Sequence, residues 1–332
     1  MVVQPSIFGM DPALLHVFTP RFNPLGFQQP HQNWERFAQH MLDSGVQLTV
    51  IECVSPGEAF HCTAPPMSDP SHAERFNHIG VYAKTRAWTK ECLINIGVSR
   101  TPEAKFIAWI DADLMFRRAD WASATVKALL HYEIVQPWKS CLDLGPNGEI
   151  IAVHTSFCHQ MWQGQPLAPP DWKTPYWIGD GGLAIYPHSG FGWSTTRAVW
   201  DAIGGLFEYG AMGSADHHMA AGLAGLAHKT LPPGDTSANY CAEVFRWERR
   251  ALRAINGNVG FVDGVLEHAF HGAKRTRNYI GRWGMFLQYG FDPLEDLVKN
   301  SFGVWEFATN KPELRRAFDR YLHARNEDAN VM

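Results

Sequence analysis

The sequence predicts an α/β fold: a mainly parallel central sheet flanked by helices, a loop-rich second half, and a C-terminal helix. Three observations predict it. Short apolar runs alternate with helix-period segments through the first 137 residues, the pattern of a parallel sheet with crossover helices. The first two runs are joined by one helical segment, which gives a right-handed parallel unit. Proline and glycine then crowd residues 139–187, where regular structure is hard to sustain.

The elements follow in order. Leu14-Leu15-His16-Val17-Phe18 reads as a buried strand that stops at Thr19-Pro20. His31 to Ser44 has helical spacing, with Trp34, Phe37 and Met41 on one face and Gly45 as its stop. Val46 to Glu52 is a second strand, and Lys84 to Ile96 a helix ending at Gly97. Phe106 to Ile110 is a continuous apolar run, as expected of a strand at a sheet centre. A helix over Asp120–Leu130, with Asp120 as N-cap, leads to a strand at Glu133–Gln136. Gly145-Pro146-Asn147-Gly148 is a turn inside the loop-rich stretch. Helices are predicted near Thr195–Ile203, over Asp216–Leu226 and over Val244–Ile255. Phe261 to Leu266 is a late strand running into His268 and His271, and the last thirty residues form an amphipathic helix and a polar tail.

Composition narrows the function classes. With 332 residues and 45% hydrophobic content, the chain can bury one large core. The net charge is −4 and no strongly basic stretch exists, which excludes an architectural nucleic-acid binder. Thirteen Trp residues offer stacking surfaces for sugars or bases, although most are expected to fill the core. None of the six cysteines forms a CxxC pair, so reduced thiols and a cytoplasmic location are expected. No basic-then-apolar leader opens the chain, and no apolar run reaches membrane-spanning length.

Three motifs carry chemistry. Asp111-Ala112-Asp113 directly follows the apolar Ala108-Trp109-Ile110. Two carboxylates at a buried strand end need a cation, and oxygen ligands favour Mg²⁺ or Mn²⁺. The plainer alternative is that Asp113 ends the strand and Asp111 faces water. In His268-Ala269-Phe270-His271-Gly272-Ala273-Lys274-Arg275-Thr276-Arg277 a glycine lets the backbone approach a phosphate. Lys274 and Arg277 supply charge, and His271 a ligand for the same metal. His268 reads equally well as a core histidine. Gly213-Ser214-Ala215-Asp216 places a carboxylate at a helix start, either as a cap or as a general base. His217-His218 diverge on a helix and cannot chelate one ion together.

In their order, these pieces resemble the GT-A glycosyltransferases, in particular family-2-like and galactosyltransferase-C-like enzymes. Trp109 to Asp113, Gly204-Gly205 followed by Gly213 to Asp216, and His271-Gly272 with Arg277 and Tyr279 carry the likeness across most of the chain. The strings Trp88-Thr89-Lys90-Glu91, Asn95-Ile96-Gly97-Val98 and Arg325-Asn326-Glu327-Asp328 are similar to a phage-type group. The resemblance implies a GT-A domain over residues 12–300. Its nucleotide-binding half covers about 12–137, its acceptor half about 138–300, and residues 301–332 form a C-terminal helical extension. It implies a nucleotide-sugar donor, foremost a UDP-sugar, and Mn²⁺ or Mg²⁺ held by Asp111, Asp113 and His271. Thr19, Glu52, Lys90, Asn95 and Asp111 would hold the nucleotide, with Lys274 and Arg277 on its phosphates. Gly190, Trp193 and His217 would form the sugar and acceptor wall, and Asp216 the base of an inverting transfer to a hydroxyl. The usual Glu-Asp pair reads Ala215-Asp216 here, so the base rests on one carboxylate. The phage-type likeness extends the acceptors to a hydroxymethylated base in DNA and the location to a host cytoplasm. A metal-dependent phosphoesterase, which needs closely paired His and Asp ligands for two metals, and a noncatalytic carbohydrate-binding protein using its many Trp are the alternatives; release of phosphate from simple esters without sugar transfer marks the first, and binding of sugar without nucleotide or metal the second.

Overall fold

Alternation along the first two strands sets the layers. In a computed structural model, which describes residues 10–65, 69–168, 177–178, 184–185, 187–232, 234, 236–278 and 281–329, β1 spans Leu15–Phe22 and β2 Gln47–Val54. Leu15, Val17, Leu48 and Val50 point to one face of the sheet, and Phe18, Ile51 and Cys53 to the other. Helix α1 (Gln28–Asp43) covers the first face through Trp34, Phe37 and Met41.

The chain continues with β3 (Phe76–Tyr82), α2 (Lys90–Ser99), β4 (Phe106–Ile110), β5 (Leu114–Phe116), α3 (Trp121–Ala128), β6 (Ile134–Gln136), β7 (Ser140–Leu144), β8 (Ile150–Ser156) and α4 (Phe157–Trp162). Two short strands, β9 (Trp177–Ile178) and β10 (Ala184–Ile185), pair with each other. Then come β11 (Pro187–His188), β12 (Gly192–Thr196), α5 (Arg197–Ile203), α6 (Ala215–Leu223), α7 (Ala238–Ile255), β13 (Val259–Phe261) and β14 (Val265–His268). The chain closes with α8 (Gly281–Gln288), α9 (Pro293–Asp296), β15 (Leu297–Lys299), β16 (Trp305–Phe307) and α10 (Pro312–Ala324).

Seven strands form the central sheet in the order β3-β2-β1-β4-β12-β6-β13. All neighbouring pairs are parallel except those made by β12, which runs antiparallel to β4 and to β6. The order runs outward from β1 to β3 and then resumes on the other side at β4. The switch point therefore lies between β1 and β4, where an open α/β sheet presents its ligand crevice at the carboxyl ends of the strands.

A second sheet, β11-β8-β7-β14-β5, has five strands. Its members β7 and β8 lie in the stretch predicted to be loop. Turn residues dominate that stretch, and β8 leaves Ile150, Ile151 and Val153 exposed, so its alternation does not mark a buried face. The predicted approach to a helix at Gly190–Trp193 runs into strand β12 from Gly192, and the helix starts only at Arg197.

Other boundaries also moved. β1 passes Thr19-Pro20, because the β4 ladder already ends at Phe18↔Trp109 and a proline beyond it breaks no bond on that side. Helix α2 begins at Lys90 rather than Lys84 and runs through Gly97. Gly97 is not a stop. A Cβ there would sit 2.6 Å from Ile51 Cδ1 and 3.1 Å from Phe18 Cδ1, so glycine lets the helix lie close on β1 and β2. Asp120 occupies the N-cap position of α3 but makes no cap bond; its carboxylate accepts from Arg118 instead.

The C-terminal segment belongs to this core. Phe307, Leu314, Phe318, Tyr321 and Leu322 are buried in the same cluster as α2, α6 and α7. No helix among the described residues is long and apolar enough to cross a membrane. We expect Gly97→Val to lower stability by about 1–3 kcal/mol through overpacking; urea denaturation measures this, and an unchanged midpoint would contradict the close packing of α2.

Candidate active site

A cavity of about 730 Å³ opens at the switch point, within the range of pockets that hold cofactors and drug-sized ligands. Its floor is Asp111, Ala112 and Asp113, at the end of β4. The two carboxylates do different things. Asp111 Oδ1 lies 2.5 Å from Lys90 Nζ at the start of α2, and the Asp111 amide donates to Phe191 O. Burial and the neighbouring Asp113 push the Asp111 carboxyl up, and Lys90 opposes them.

Asp113 faces two imidazoles instead. Its Oδ2 is 3.1 Å from His271 Nε2 and 3.6 Å from His268 Nε2, and the two Nε2 atoms are 3.3 Å apart. Burial alone would raise the Asp113 carboxyl, but the two histidines hold it well below its ordinary range. Its other oxygen, Oδ1, is buried without a hydrogen-bond partner.

These three side chains form the one cluster of metal-ligand geometry among the described residues. Ligands about 2.1 Å from one ion sit about 3.0–3.4 Å from each other at tetrahedral or octahedral angles, close to the spacings observed. An orphaned carboxylate oxygen and two convergent imidazoles fit a divalent cation. A two-nitrogen, one-oxygen set favours Mn²⁺ over Mg²⁺, which prefers oxygen ligands alone. Of the residues expected to hold a metal, Asp113 and His271 come together with His268, while Asp111 pairs with Lys90.

The remaining wall comes from α6. Asp216 is its second residue, in the first turn of the helix. It is not the cap; Ser214 holds that place, in a left-handed conformation at φ 72°. Phe191 has φ 75°. Among the non-glycine residues with positive φ, these two are not asparagine, and both line the cavity. Such strain concentrates at sites whose surroundings hold it in place. Gly190 is needed for access, because a Cβ there would lie 2.9 Å from Asp216 Oδ2.

The other expected residues divide. Lys90, Arg277, His217 and Gly190 line the cavity. Thr19 does not; it is fully buried inside β1. Glu52 is tied down by the amides of His61 and Cys62 and by His78, and lines a side cavity of about 230 Å³. Asn95 braces the backbone of Leu206 away from the cavity. Trp193 is a core residue under the floor, its indole N–H donating to Ser189 O. The side chain of Lys274 and the whole of Tyr279 lie outside the described residues. His218 is buried and bonded to Thr230 and Tyr240, a structural role.

Sequence reasoning missed several lining residues. Arg21 is 8% exposed, lies at the end of β1 and lines both cavities. Reading β1 as ending at Thr19 hid it. Asp143 occupies the buried side of the alternating Ser140–Leu144 strand, a charge where a hydrophobe is expected; that was the available signal. Glu91 follows Lys90 and is 4% exposed. Burial, opposed by Lys90 and reinforced by Asp216, pushes its carboxyl up to about 8.

Comparisons with known proteins add little. No protein-family model matches the chain, and no curated protein matches it. Among solved structures, the chain is similar to a mannosyltransferase from Pyrobaculum calidifontis in complex with GDP-Man and Mn²⁺. That match has 14% identity and a TM-score of 0.39, and covers 97% of this chain and 74% of the other. It is also similar to the catalytic domain of Drosophila beta1,4-galactosyltransferase 7 in complex with xylobiose, at 12% identity and a TM-score of 0.31. This match covers 66% of this chain and 63% of that one, so the chain spans less than two thirds of that relative's length. A UDP-glucose pyrophosphorylase complexed with UDP-glucose matches at 7% identity and a TM-score of 0.31, over 78% and 91% of the two chains. At these scores the likenesses carry no argument, and the fold rests on the strand order above.

The Glu91 environment makes a pH prediction. A carboxyl raised from 4.5 to about 8 in the folded state stabilises the fold fully below pH 4.5. That contribution is lost as pH rises to about 8, because the unfolded chain ionises first. Glu91→Gln should therefore be more stable than wild type at pH 8, with no such gain at pH 4.5. Denaturation midpoints at the two values check this, and equal differences at both would contradict it.

Proposed function

We propose that this chain is a metal-dependent glycosyltransferase that moves a sugar from a nucleotide-diphosphate donor to an acceptor hydroxyl, with inversion. One observation carries the reading: the Asp113, His268 and His271 cluster, with its orphaned oxygen, shares a single switch-point cavity with the helix-start carboxylate Asp216. One end of the cavity suits a diphosphate and the other a proton acceptor.

The donor's nucleoside would enter at the ends of β1 and β2, where Arg21 and Glu52 share the smaller cavity. Bound at Asp113, His268 and His271, the ion would neutralise charge building on the leaving diphosphate. Arg277 adds a fixed cation on the same wall. Lys90 holds Asp111 in place, which leaves Asp111 to accept from the donor rather than to collapse onto Asp113. Asp216 accepts the acceptor's proton, and Gly190 leaves room for the hydroxyl to reach it. Attack from the Asp216 side, opposite the diphosphate, inverts the anomeric centre.

The alternatives have less behind them. A two-metal phosphoesterase needs a second ligand cluster, and the described residues hold one. A Trp-based carbohydrate-binding surface needs several exposed rings, but Trp34, Trp109, Trp121, Trp138, Trp193, Trp200, Trp247 and Trp283 are buried, and among the described residues Trp162 is the one Trp that stands largely exposed. The acceptor end is lined by Thr230, Pro232, Arg282 and Trp283. A saccharide or small alcohol fits such a wall, and a hydroxymethylated base fits once extruded from its duplex.

The test is a screen of nucleotide sugars for Mn²⁺-dependent thermal stabilisation and turnover, followed by an acceptor panel that includes hydroxymethylated DNA. We expect Asp113→Ala to abolish Mn²⁺-dependent donor binding. Asp216→Asn should keep donor binding and lose transfer by about 10²-fold or more. Normal turnover in the Asp216 variant, or donor binding indifferent to Mn²⁺ in wild type, overturns the assignment.

A further inference from the structure

Each imidazole of the cluster has a second carboxylate behind it. His268 Nδ1 is 2.7 Å from Asp143 Oδ1. A carboxylate only accepts, so Nδ1 carries a proton, and in the neutral ring Nε2 is the atom left with a lone pair for an ion at Asp113. Asp143 is 2% exposed, and its other oxygen is 3.2 Å from His154 Nε2. Sheet register makes the contact unavoidable: β14 lies between β5 and β7, with His268 paired to Leu114 on one side and to Asp143 on the other.

His271 has a looser counterpart from a different source. Its Nε2 faces Asp113 and its Nδ1 lies 3.8 Å from Glu327 Oε2, an ion-pair contact longer than a hydrogen bond. The tail that carries Glu327 is clamped at several points. Arg325 stacks on Trp88 and pairs with Glu327. Thr276 Oγ1 donates to Arg325 O. Asp328 accepts from the amides of Gln28 and Gln29 at the start of α1. Gly272, at φ 88°, allows the approach, since a Cβ there would be 3.0 Å from Glu327 Cα.

We propose that Asp143 and Glu327 are positioning residues that hold the two metal-ligating imidazoles by their Nδ1 atoms, which makes the C-terminal tail part of the metal centre. This rests on the metal-binding reading above. Carboxylate, imidazole and metal in series fix the ring's orientation and tautomer and raise its basicity as a ligand. The expected cost of losing one such partner is 10–100-fold in metal affinity.

The experiment is Mn²⁺ titration of the full chain without donor, read by electron paramagnetic resonance, with electron spin-echo modulation reporting the directly bound ¹⁴N nuclei. Wild type should bind one Mn²⁺ with two histidine nitrogens. Asp143→Leu should weaken binding 10–100-fold and lose the modulation of one nitrogen. Asp143→Asn, which keeps an acceptor and the shape, should weaken it about tenfold, and it covers the case in which the leucine variant misfolds. Glu327→Gln should weaken binding comparably and lose the modulation of one nitrogen, beside whatever loss of the Arg325 pair costs the thermal midpoint. A merely structural role would move the midpoint and leave both the Mn²⁺ affinity and the nitrogen count of two unchanged. Variants that bind Mn²⁺ as wild type does overturn the positioning roles alone. A wild type that binds no Mn²⁺ overturns the metal reading and the positioning roles with it.

Discussion

The site depends on one constraint, the register of β14 between β5 and β7. Asp113 precedes β5, Asp143 lies in β7 and His268 ends β14. Only antiparallel pairing with β5 and parallel pairing with β7, both in the observed register, set these three side chains on the same side of the sheet. A slip of one residue would turn every side chain to the other face. Asp143 would then leave the imidazole, and a buried carboxylate would lose its partners at a cost of several kcal/mol. The geometry of the cluster and the register are enforced by the same charges.

The two sheets divide the work. The central sheet brings β1 and β4 together, and with them Arg21, Asp111 and, through α2, Lys90. The smaller sheet carries the histidines. Lys90 and Asp111 join the two, since Asp111 begins the short turn between β4 and β5 while Lys90 starts α2. The Asp111 amide bond to Phe191 O adds a third anchor and holds Phe191 at its positive φ. The cavity floor is therefore braced from three elements before any ligand enters, which is what pre-organisation requires.

The parallel half was legible because its strands are buried on both faces and read as continuous apolar runs, Phe106 to Ile110 above all. The carboxylates were legible because they interrupt such a run. The second sheet was not. Ile150, Ile151 and Val153 are apolar but exposed, and Cys141 and Asp143 are an apolar and a charged residue that share one buried face. Hydrophobic periodicity is silent where a polar network replaces the core. For the same reason His268 looked like a core histidine. It is buried, at 4% exposure, and it is also a ligand-geometry residue; burial does not separate the two roles, but partners do. Thr19 was misplaced because Pro20 was read as a stop, a rule that holds inside a ladder and not past its end.

The tail shows how far a site can extend in sequence. Asp328 satisfies amides at residues 28 and 29, roughly three hundred positions away, and these first-turn N–H groups have no partner within the helix itself. An aspartate there also meets the positive end of the α1 dipole. Glu327 and Arg325 neutralise each other, so the segment brings its own counter-charge into the cavity wall. The entropy of closing so long a loop grows only slowly with its length, so modest burial offsets it. Glu327 lines the cavity only while this segment is docked. An amphipathic α10 with Leu314, Phe318 and Leu322 in the common core supplies the burial that makes this docking stable.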